Sequence, residues 1–89
     1  MKKEQLVGLT ATAAVAELSR GAFSAQDYVS AYLDRIAAVE PEVQAFVHFD
    51  ADYALEQARR LDERRLSGAP LGRLHGLPVA VKDIIDTAD

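Results

Sequence analysis

Eighty-nine residues, 49% hydrophobic and 27% charged, have ordinary globular composition and room for one domain at most. A formal charge of -4 and a pI near 5.0 leave no basic footprint, so no nucleic-acid partner is expected. With no cysteine there is no disulfide, thiolate metal site or cysteine nucleophile, which fits a cytoplasmic protein.

A chain this short buries only about 60–65% of the surface its unfolded form exposes, so its stability is marginal. Lys2 and Lys3 precede a fairly apolar stretch, Leu6 to Ala16, that loosely mimics a secretory signal. Glu4, Thr10 and Thr12 interrupt it, and Glu17, Leu18 and Arg20 continue it as an amphipathic helix. No apolar run approaches the roughly 20 residues of a membrane span, so no membrane partner is expected.

Thr10 reads as an N-cap for a helix over Ala11 to Arg20, with Val15 and Leu18 facing inward and Gly21 as the stop. Ser24 caps a second helix, with Asp27 favourably placed in its first turn. From Ala25 to Val39 the positions Val29, Leu33 and Ile36 recur at helical spacing, and Tyr28 and Tyr32 widen the stripe. Glu40-Pro41 is expected to end this helix, because the residue before proline is pushed out of helical geometry.

Val43 to Phe49 is β-rich and reads as a short strand. Asp50 caps a third helix, Ala51 to about Leu66, with Ala54, Leu55, Ala58, Leu61 and Leu66 toward the core. Its charged set, Glu56, Arg59, Arg60, Asp62, Glu63, Arg64 and Arg65, reads mostly as a wet face of mixed sign. Ser67 to Gly76 holds three glycines and a proline and is a loop. Leu77 to Val81 (LPVAV) then reads as a strand buried on both faces.

The expected fold class is therefore α/β: an N-terminal helix pair over residues 1–41, then a strand-helix-strand unit over 42–89. The last three elements would form a right-handed, parallel βαβ unit. Such a pair needs neighbouring strands and covering helices, so the chain reads as the opening of a larger domain, cut off after its second strand.

Chemistry concentrates in Gly72 to Thr87, which places Lys82 and Asp83 at the end of the second expected strand. In open α/β sheets ligand crevices form at that end. A lysine stem among Val79, Val81 and Ile85 would be desolvated, which favours the neutral amine and suits a general base. The alternative is a solvated lysine paired with Asp83 or Asp86. Asp86-Thr87 reads equally as a supporting hydrogen-bonding pair or as a plain turn. His48 and His75 have no partner at metal-ligand spacing, and neither a metal nor another cofactor is expected.

The string GRLHGLPVAVKDIIDT resembles the first conserved block of the amidase-signature family, matching at Gly72, Leu74, Gly76 to Asp83, Ile85, Asp86 and Thr87. Ala45-Phe46-Val47 and the Ala54 to Asp62 run are similar to the family's preceding segments, so the resemblance covers nearly the whole chain. It departs at Ile84, often asparagine in the family, and at Asp89, where many members have glycine.

The resemblance implies an α/β/α sandwich with a mixed sheet. It also implies amide hydrolysis by a serine–cis-serine–lysine triad with Lys82 as the base. Asp83 and Asp86, read from their position beside that lysine, would each hydrogen-bond loops around the site in support. The substrate would be a small-molecule amide whose identity lies beyond the lysine block. Ser19, Ser24, Ser30 and Ser67 do not lie in a glycine-rich nucleophile setting, so the chain alone is expected to be inactive. The other reading is a non-catalytic module whose N-terminal helices dock a partner or form a homo-oligomer.

Overall fold

The computed structural model describes residues 2–82. Four helices follow in order: α1 (Lys3–Leu6), α2 (Ala11–Ser19), α3 (Ala25–Val43) and α4 (Ala51–Leu66). Each of the three longer helices begins where a short polar side chain can replace the missing intrahelical partner of an early amide. Thr10 Oγ1 accepts from the Ala13 N–H at 3.1 Å, Ser24 Oγ from Asp27 at 3.0 Å, and an Asp50 carboxylate oxygen from Tyr53 at 2.9 Å. Gly21 follows the end of α2 with φ +76°, a left-handed conformation that is cheap only for glycine.

The core is assembled from Leu6, Ala14, Leu18, Ala25, Tyr28, Val29, Ala31 and Ala58. Helix α3 is its spine, packing on α4 along one side and α1 along another. Tyr28 and Leu18, each 1% exposed, are the largest fully enclosed side chains. Phe23 stacks on Tyr28 with ring centroids 5.5 Å apart, and Tyr32 meets it edge-on at 5.2 Å. Leu33, Ala54, Leu55 and Leu61 pack around this centre as their spacing predicts, whereas Leu66 lies exposed at the end of α4. The short α1, which hydrophobic periodicity does not announce, contributes Leu6 to the core.

The α/β expectation is overturned: the described residues form helices and no strand, so neither the βαβ unit nor the mixed sheet is present among them. A strand exists only through a ladder to a neighbour, and neither candidate segment finds one. Val43 closes α3, and residues 44–50 run as an exposed irregular connection. The amides of Ala45 and Phe46 donate instead to the two carboxylate oxygens of Glu40, each at 2.8 Å. Leu77 donates its amide to the Leu74 carbonyl in a turn, and the residues after it show Val79 and Val81 68% and 54% exposed.

Pro41 also fails to stop α3, which runs on to Val43. A proline removes one amide from the ladder, here the partner of the Ala37 carbonyl. Ala37 is exposed, so water can take that acceptor. The helix ends instead at Gln44, whose φ of 52° is left-handed and whose amide donates to the Glu40 carbonyl at 2.7 Å.

The charged run on α4 divides into two groups. Arg59 bridges Glu56 and Glu63, and Arg60 reaches Glu56, on the solvent side as expected; such exposed pairs contribute little. Asp62 turns inward: its carboxylate accepts from the Ala25 amide at 2.6 Å and the Gln26 amide at 3.0 Å. It thereby ties α4 to the N-terminus of α3, where negative charge is favoured. Asp62→Ala is expected to cost about 1–3 kcal/mol, because it leaves the buried Ala25 amide without a partner that α3 can supply, whereas water can reach the exposed Gln26 amide. Equilibrium unfolding measures that loss, and faster hydrogen exchange at Ala25 and Gln26 locates it.

Candidate functional site

Lys82 stands at the end of the irregular run after Leu77 and is exposed. The desolvated approach expected of Val79 and Val81 is not formed among the described residues, since both face solvent. Asp83, Asp86, Ile85 and Thr87 lie outside the described residues. Beside the run, an apolar groove of about 480 Å³ lies between Leu9, Tyr28, Tyr32, Ile36 and Phe46 on one side and Leu77 to Ala80 on the other. The segment leading to Lys82 and the Tyr28, Tyr32 and Ile36 side of α3 thus line the same groove.

Gly76 anchors that segment. Its φ is +77°, and a Cβ there would stand 3.1–3.2 Å from Leu18 and Ala25 side-chain atoms. Backbone thus presses directly on the corner between α2 and α3, which only glycine allows. His75, one residue earlier, is buried, with burial holding its pKa below the ordinary imidazole range. His48 is exposed in the connection after α3. Among the described residues no group of His, Asp and Glu side chains is placed to hold a metal.

The serines have local duties. Ser24 caps α3, Ser30 Oγ accepts from Lys3 Nζ at 3.2 Å, and Ser67 Oγ donates to the Arg64 carbonyl at 2.7 Å. Ser19 is the exposed last residue of α2. None of the four adjoins Lys82 in a hydrogen bond among the described residues.

Sequence reasoning missed Asp62, Arg65 and Glu40 as organisers of this region. The Arg65 guanidinium fills the space over Gly21, where a Cβ would come within 2.7 Å of Nη1. The missing side chain at Gly21 is the one local signal for it, whereas nothing near Asp62 in sequence points across 37 residues to Ala25.

The exposed apolar run carries a consequence for the isolated chain. Val79, Val81 and the groove offer apolar surface beside backbone that has no partner among the described residues, and such edges template pairing between molecules. Sedimentation of the purified chain is expected to show concentration-dependent association. A single monomeric boundary at all concentrations would contradict this.

Comparison with known proteins adds to this geometry. The sequence model of the amidase family, described as Amidase, matches residues 27–89. A glutamyl-tRNA(Gln) amidotransferase subunit from Salinispora arenicola is 48% identical over 82 residues, covering 92% of this chain and 17% of that protein. The corresponding subunits from Thermobifida fusca and Chloroflexus aurantiacus are each 48% identical, covering 96% and 93% of this chain and 17% of their own length. The chain thus spans about one sixth of the length of these relatives. No solved structure matches it.

Proposed function

The chain belongs to the amidase family, and on that premise we propose that it is the lysine-bearing segment of an enzyme that breaks amide C–N bonds, with Lys82 as the general base. The observation that carries this is the family match over residues 27–89, which runs through the whole Gly72 to Thr87 block and so includes Lys82. A lysine serves as base only when neutral, so the full-length protein must cover the apolar residues that lead to it. The exposed faces of Val79 and Val81 are the surface such a cover would use.

In the resulting scheme Lys82 takes a proton from a serine hydroxyl by way of a second serine. The activated serine attacks the amide carbonyl, the protonated nitrogen leaves, and water or an amine resolves the acyl-enzyme. Both serines come from the remainder of the protein. Asp83 and Asp86 would hold neighbouring loops in place by hydrogen bonds, a role that their position beside Lys82 in the sequence suggests.

The relatives are named for amide transfer onto glutamyl-tRNA and as subunits. This runs against the expectation that no nucleic acid is a partner. The charge of -4 belongs to 89 residues, a sixth of those proteins, and tRNA contacts need not fall on that sixth. The proposed setting is therefore a multi-subunit enzyme in which this chain's part is to release ammonia from an amide donor by hydrolysis, for use by a partner that acts on glutamyl-tRNA. The test is ammonia release from amide donors by the full-length protein, with and without Lys82→Ala. Release that ignores the substitution would overturn the assignment of Lys82.

A further inference from the structure

His75 is 4% exposed, and neither Nδ1 nor Nε2 has a hydrogen-bond partner among the described residues. A neutral imidazole already pays for one enclosed N–H in such a place, and a second proton would add an enclosed charge. The charges acting on the ring come from α4: Asp62 favours the imidazolium, while Arg65 and Arg64 oppose it. Asp62 acts through its charge alone, since its oxygens accept from the Ala25 and Gln26 amides rather than from the ring, and burial outweighs that charge. The corner of α2 and α3 contributes Leu18 and Ala25, which lie against Gly76 and carry no charge.

Two hydrogen bonds and one close approach hold the backbone of the loop around the ring. The His75 amide donates to the Gly72 carbonyl at 3.2 Å and the Leu77 amide to the Leu74 carbonyl at 3.0 Å. Gly76 is seated so close to Leu18 and Ala25, both in the core, that a Cβ there would stand 3.1–3.2 Å from their side chains. To hydrate an imidazolium, residues 72–77 must lift off as a unit.

We propose that His75 is an acid-sensitive latch: its neutral ring seats residues 72–77 in the corner of α2, α3 and α4, and a second proton on the ring releases them together with the run ending in Lys82. The device depends on the buried ring and not on the amidase reading. Burial lowers the pKa of His75 from its ordinary value of 6.5. The unfolded or released form therefore binds the extra proton more readily than the seated form. Seating is complete above 6.5 and weakens as pH falls through and below it.

The test is mass-spectrometric exchange of the His75 C2 hydrogen across acid to neutral pH in the 89-residue chain, a readout that tolerates association. A peptide spanning residues 70–80 supplies the free-histidine reference. Amide exchange at His75 and Leu77, corrected for its intrinsic pH dependence, follows the loop. The expected result is a lower His75 midpoint in the chain than in the peptide, with Leu77 protection falling at least about tenfold as His75 gains its proton. His75→Phe, an apolar ring that cannot titrate, is expected to hold protection level across the range. Equal midpoints in chain and peptide, Leu77 protection indifferent to His75 protonation, or an unchanged acid step in His75→Phe would each overturn the proposal. Should the variant fail to fold, the wild-type midpoint and protection decide it alone.

Discussion

Lys82→Ala in the full-length protein is expected to lower kcat about 10²–10⁴-fold, the range over which a positioned general acid or base accelerates proton transfer. KM should change little, because a proton relay acts in the transition state rather than in ground-state binding. Lys82→Arg separates base from mere cation. A guanidinium keeps the charge and the length but does not give up its proton at any usable pH. Arginine should therefore be as inactive as alanine if Lys82 accepts a proton, and substantially active if Lys82 only supplies positive charge. The 89-residue chain by itself is expected to release no ammonia. Its four serines are a cap, an acceptor for Lys3, a C-terminal turn donor and an exposed helix end, and none hydrogen-bonds Lys82 among the described residues. Turnover by this chain, abolished by Lys82→Ala, would contradict that reading.

Tyr28→Ala is expected to remove the cooperative unfolding transition. Tyr28 is buried between Phe23 and Tyr32, lines the groove, and sits on the helix that both α1 and α4 pack against. Truncating an enclosed aromatic ring to alanine costs about 3–5 kcal/mol. Small native domains hold about 5–15 kcal/mol in total, and a chain of this size lies toward the bottom of that range. Urea denaturation followed by far-ultraviolet circular dichroism should show a sloping, non-sigmoidal curve. Tyr28→Phe is the control, since it keeps the ring and loses only a 3.4 Å contact to the Tyr32 hydroxyl. A Tyr28→Ala midpoint equal to wild type would mean that this cluster is not the core.

Much of the helical layout was legible because its signals are local. A cap joins a side chain to an amide three residues on, and Thr10, Ser24 and Asp50 act at the positions that sequence spacing marks for them. The periodic stripe on α3 likewise predicts Val29 and Tyr28 inside. The strands were misread for the complementary reason. VQAFVHF and LPVAV carry β-forming side chains, but propensity describes how a segment fits a sheet already present. The helix stop at Pro41 was misread because one lost amide is cheap where the orphaned carbonyl meets water.

The candidate site divides in the same way. The Gly72 to Thr87 block and the family it marks are properties of residue order, and the sequence alone determined them, along with Lys82 as the residue to test. Tertiary structure decided that Asp62 closes the end of α3 rather than facing water, that Arg65 lies over Gly21, and that His75 is enclosed without a partner among the described residues. It also decided that the run before Lys82 stays exposed. Burial and pairing depend on what other parts of the chain bring to the same place, and no local pattern encodes that meeting.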